Sequence, residues 1–72
     1  MVNIIMNTVS ELTDMKTSEI VLPSSYESLG LDDLGVVDLI MKLEDKFGFL
    51  ADIEMYETET IEELIELIMD EN

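Results

Sequence analysis

The apolar positions of this 72-residue chain fall into three helical stripes separated by one long mixed segment. From Val2 to about Met15, Ile5, Val9 and Leu12 recur at three-to-four spacing, with Val2, Ile4 and Met15 beside them, and this predicts a first helix. Lys16 falls near its C-terminal end, where a cation suits the helix dipole. A second helix is expected from Leu34 to about Phe47, with Val37, Ile40, Leu43 and Phe47 as its core-facing stripe. Asp33 stands just before it, placed to accept a bond from a free backbone N–H, and Gly48 suits the stop. Thr60-Ile61-Glu62-Glu63 reads as a capping box opening a last helix. Ile61, Leu64, Ile65 and Ile68 form that helix's buried stripe, with Leu67 and Met69 nearby.

The stretch from Thr17 to Leu31 reads as a long loop. Pro23 disfavours helix at Leu22, and Ser24, Ser25 and Gly30 add turn chemistry. Ile20, Val21, Leu22, Tyr26, Leu29 and Leu31 are apolar and are expected to pack back onto the helices. A loop this long in so small a chain is usually functional or tightly packed. Ala51 to Tyr56 has room for one short helical turn. The expected fold is all-α: a bundle of three main helices plus one short one, with the long loop between helices 1 and 2. Residues 1–72 are expected to form a single domain.

Composition narrows the function. Eighteen acidic residues stand against Lys16, Lys42 and Lys46, a net charge of −15. That excess repels nucleic-acid phosphates and anionic lipid and favours basic protein surfaces. Acidity alone often means disorder, but dense periodic apolar positions, 47% of the chain, argue for a packed core. With no cysteine and no histidine, no disulfide, thiolate site, Ser-His or Cys-His arrangement is open to the chain. No phosphate-binding glycine loop is present, and Asp32, Asp33 and Asp38 do not fall at calcium-loop positions. A catalytic carboxylate pair would need a desolvated cleft, for which so small a chain has little room. The expectation is a non-enzymatic protein. No apolar run approaches the ~20 residues of a membrane span, and the start lacks a basic leader with a long apolar core. A cytoplasmic location and a monomeric state follow as expectations.

One segment carries more information than the rest. Leu29-Gly30-Leu31-Asp32-Asp33-Leu34 opens an acidic amphipathic helix that runs to Phe47-Gly48. It resembles the signature turn and helix of acyl carrier proteins, and the long apolar loop and Ile-rich last helix extend the resemblance over most of the chain. In that family a Leu-Gly-x-Asp-Ser-Leu turn carries 4'-phosphopantetheine on its serine. Asp32 and Leu34 match the flanking residues, and Asp33 stands where the serine is expected. The transferase needs a hydroxyl to attack the coenzyme A pyrophosphate, and a carboxylate supplies none. Asp33 does place a negative charge where the phosphate would sit beside a helix N-terminus. No arm is therefore expected on this chain. Ser28, five residues upstream in the loop, is a poor substitute, because an arm there would not start at the helix.

The resemblance also implies partners. Asp38, Glu44 and Asp45 match the acidic recognition helix that carriers present to basic surfaces of phosphopantetheinyl transferase and acyl-transfer or synthase enzymes. Val36 and Met41 match apolar positions at its exposed edge. The same acids also read as a solvated helix face. Lys42 and Lys46 interrupt the acidic face and are placed for i,i+4 pairs with Asp38 and with neighbours of Asp45. Two functions stand: an acyl carrier of fatty acid or polyketide-type biosynthesis closed to loading at Asp33, or a naturally unloaded carrier-like module for protein interaction. Asp33 is compatible with a substitution in an ordinary carrier or with a relative that kept the fold and lost the cargo.

Overall fold

The computed structural model describes residues 2–71. Four α-helices follow in order: α1 Val2–Thr13, α2 Asp33–Phe47, α3 Ile53–Tyr56 and α4 Ile61–Glu71. Two 3-10 turns, Thr17–Glu19 and Glu27–Leu29, lie in the long connection between α1 and α2. Among the described residues there is no strand, and a lone antiparallel bridge joins Ser25 to Thr60. No helix among these residues is long and apolar enough to cross a membrane. The all-α bundle of three main helices and one short one is the architecture the sequence predicts.

α1 ends at Thr13, earlier than the apolar pattern suggests. Asp14 adopts a left-handed backbone, φ 62°, which reverses the chain. Aspartate tolerates that conformation better than most residues. The Asp14 N–H still reaches the Ser10 carbonyl, while the Ser10 hydroxyl bonds the Met15 carbonyl and closes the end. Lys16 consequently lies beyond the helix, and its backbone N–H donates to the Glu19 carboxylate at 2.9 Å. Its expected partnership with the α1 dipole is corrected.

α2 is turned relative to the expected stripe. Val36, Leu39, Ile40 and Leu43 are buried, whereas Val37 is 38% exposed and Phe47 half-buried. At about 100° per residue, Val36, Ile40, Leu43 and Phe47 fall within roughly 60° of arc, with Val37 about 90° from its middle. The three-residue steps from Val37 to Ile40 to Leu43 drift around the helix; the 3.6-residue period selects Val36 instead. Gly48 stops α2 in a left-handed conformation, φ 71°, its N–H donating to the Glu44 carbonyl at 2.8 Å.

The core joins Ile5 and Val9 of α1 to Leu39, Ile40 and Leu43 of α2 and to Met55, Ile61, Leu64 and Ile68. Thr8 is buried among them with both hydroxyl functions used, donating to the Ile4 carbonyl and accepting from Lys46 Nζ at 2.8 Å. Lys46 also pairs with Glu11 across the α1–α2 interface, so its expected intrahelical pairing is replaced by a tertiary one. No Lys42–Asp38 pair forms. The capping box opens α4 as expected: the Glu63 N–H donates to Thr60 Oγ1, and the Thr60 N–H to Glu63 Oε1, both at 3.1 Å.

The long connection packs back on the bundle through Ile20, Tyr26, Leu29 and Leu31, all buried. Val21 is the exception, 58% exposed. Its neighbour Leu22 takes the inward position, and the Leu22 carbonyl accepts from the Glu62 N–H. The Tyr26 N–H donates to the Glu59 carbonyl, and its hydroxyl bonds Thr58 Oγ1 at 2.7 Å. These contacts stitch the loop to the α3–α4 junction.

Candidate functional site

The turn before α2 is built by three neighbours. Gly30, φ 82°, reverses the chain after the Glu27–Leu29 turn. Leu31 is buried and pins the turn to the core. Asp32 then caps the helix, its carboxylate accepting the Gly35 N–H at 2.8 Å. The capping role expected of Asp33 therefore belongs to Asp32, because the helix begins one residue earlier than expected. Asp33 is the first residue of α2, exposed, and its carboxylate accepts no hydrogen bond.

Asp33 lines an open cleft of about 450 Å³ between the loop, the start of α2 and the α3–α4 junction. Leu31, Val36 and Val37 supply apolar wall, Tyr26 and Tyr56 aromatic wall, and Glu27 and Glu59 stand with Asp33 as its acids. No local sequence pattern marks this cleft. Its far wall, Tyr56 to Glu59, carries no motif and is brought in by the Tyr26–Thr58 bond. Burial pushes the Tyr26 phenol above its ordinary value; the Thr58 hydrogen bond opposes this and the nearby Glu63 charge adds to it. Ser28 lies outside this cleft, on the 3-10 turn, with its hydroxyl donated to the Ser25 carbonyl at 2.8 Å.

Along the outer side of α2, Leu34 is 79% exposed and Met41 55%, with Val37 between them. Asp38 and Asp45 are exposed beside this row. Two residues expected at the same face are placed elsewhere. Val36 is buried and faces the core and cleft, so its expected position at an exposed edge is corrected. Glu44 is half-buried, and its carboxylate accepts the Ala51 N–H at 2.7 Å, holding the α2–α3 connection. Among the described residues no cluster of acids is arranged to hold a metal ion.

A protein-family model described as "Phosphopantetheine attachment site" matches residues 3–68. The chain belongs to that family. Comparison with curated proteins gave no match. Among solved structures, the phosphopantetheine-site fold seen here is similar to that of an acyl carrier protein from Thermotoga maritima. The TM-score is 0.80 at 21% identity, covering 96% of this chain and 82% of that one. The carrier-type fold thus runs from α1 to α4, and the exposed first residue of α2 is Asp33.

Proposed function

We propose that residues 1–72 form a single monomeric acyl-carrier-type domain of fatty acid or polyketide-type biosynthesis that is closed to loading at Asp33. Family membership supports the carrier reading, and one observation carries the rest. Asp33 sits at the exposed first position of α2, lining the cleft, where the family's arm-bearing serine is expected. It offers a carboxylate where loading needs a hydroxyl. The chain itself is not a catalyst; it serves enzymes that would act on an arm it does not receive.

On this reading Asp32 and Leu34 frame the attachment position. Asp38, Met41 and Asp45, with Leu34 and Val37, form the face that meets the basic surfaces of transferase and synthase enzymes. A net charge of −15 supports partners of that sign. The naturally unloaded interaction module is the second reading. It is favoured by the fact that Asp33 neither caps the helix nor pairs with another group, so the fold tolerates it without adjustment.

The test is intact-protein mass after incubation with coenzyme A and a broad-specificity phosphopantetheinyl transferase. The chain and its Asp33→Ser variant are compared. A gain of one arm in the serine variant alone is the expected result. No gain in either rejects the closed-carrier reading, and a gain in the unaltered chain rejects Asp33 as the blocked position.

A further inference from the structure

Loading and recognition occupy different parts of α2. Loading concerns one oxygen at the helix start. A serine oxygen bonds to the phosphorus bearing the pantetheine arm, the pyrophosphate P–O bond breaks, adenosine 3',5'-bisphosphate leaves, and the hydroxyl proton passes to a base. Asp33 removes that oxygen nucleophile and nothing else from the helix. Recognition concerns a surface. At about 100° per residue, Leu34, Val37 and Met41 share roughly 60° of arc, and Asp38 and Asp45 border it within about 40°. Met41 lies eight residues from Asp33, about 12 Å along the axis. The row is exposed, and the Asp33, Asp38 and Asp45 carboxylates have no partner among the described residues. An apolar row edged by unpaired acids fits a basic protein surface with an apolar depression.

Resting on the function proposed above, we infer that the chain acts as a competitive brake on carrier loading. It occupies the basic carrier-docking surface of the arm-transferring enzyme and leaves it unmodified. A protein that keeps the recognised face and lacks the reacting atom holds the enzyme by mass action without turnover. Its effect is on apparent KM, because a loadable carrier in excess displaces it.

The Asp33→Ser variant provides the substrate and the unaltered chain the inhibitor, so both present the same face. Loading of the variant is followed by mass at rising concentrations of the chain. The expected result is a raised apparent KM, unchanged kcat, and an inhibition constant within about threefold of the variant's own KM. A Met41→Asp form of the chain, shown by circular dichroism to keep its helices, should lose the inhibition. If the serine variant loads while about a tenfold excess of chain over KM leaves its rate unchanged, the brake is refuted and the carrier reading stands. If the serine variant never loads, the carrier reading falls and takes the brake with it. Inhibition undiminished in Met41→Asp refutes the assigned face.

Discussion

Asp32 and Asp33 are identical neighbours to which the structure gives different work, and removing each in turn measures the difference. Asp32→Ala deletes the cap on Gly35 N–H. An N-cap aspartate replaced by alanine costs about 1 kcal/mol. Asp33→Ala deletes no hydrogen bond. It loses a helix-dipole interaction of about 0.3–1 kcal/mol, screened by salt. It also removes one negative charge from a chain already at −15, which offsets that loss. The net effect at residue 33 is within about 0.5 kcal/mol of zero, as for other surface changes. Urea unfolding followed by far-ultraviolet circular dichroism at pH 7 separates the two. With a slope of about 1 kcal/mol per molar urea, Asp32→Ala lowers the midpoint by roughly 1 M and Asp33→Ala by less than half of that. Asp32→Asn, which keeps the accepting oxygen, should retain most of the stability. An Asp33→Ala loss as large as that of Asp32→Ala would overturn the assignment of the cap to Asp32. It would also mean that Asp33→Ser perturbs the fold being assayed.

Two further outcomes follow from the core and from the loop. Leu43 is fully buried, and Leu43→Ala should cost about 2–5 kcal/mol, a large part of the roughly 4–11 kcal/mol expected for a domain of this size. A thermal melt unchanged in that variant would contradict the packing described. The Tyr26 phenol is raised above its ordinary value of 10.0, chiefly by burial. The folded state therefore holds this proton where the unfolded state releases it, so stability present below about pH 10 falls as pH rises beyond it. Tyr26→Phe should be weaker at neutral pH through loss of the Thr58 bond, and its alkaline decline shallower. Parallel declines in the two proteins would refute that linkage.

What was legible in the chain was whatever local chemistry dictates. The Thr60–Glu63 box and the Gly48 stop each satisfy backbone groups a few residues away, so sequence spacing alone locates them. The α4 stripe was equally plain, because 61, 64, 65 and 68 obey the helical period. In α2 several apolar residues offer competing rows, and only the packing of Val36 against the core chooses between them. α1 ends before its apolar pattern does, because Met15 continues that pattern past the reversal at Asp14 and packs on the core from outside the helix. The cleft was invisible for a different reason. Its walls lie 32 residues apart in the chain at the Tyr26–Thr58 bond, and no local rule foretells that pairing. Glu44 and Lys46 show the same limit: each looks like a surface charge until Ala51 and Thr8 are brought to it.

These distinctions bear on what residue 33 means. The turn needs Gly30 for its left-handed backbone, Leu31 for its anchor and Asp32 for its cap. Each identity has a structural cause, and substitution at each disturbs the presentation of the helix. Residue 33 has no such cause: its side chain is exposed, accepts no bond, and lines the cleft. Folding therefore leaves its identity free, and on the function proposed above the competence to receive an arm would be a property of this one side chain. That separation makes the stability and mass measurements independent of each other. A serine variant that folds like the parent and gains an arm would place the whole difference between loaded and unloaded protein in one oxygen atom's chemistry. A serine variant that folds like the parent and gains nothing would reject the closed-carrier reading.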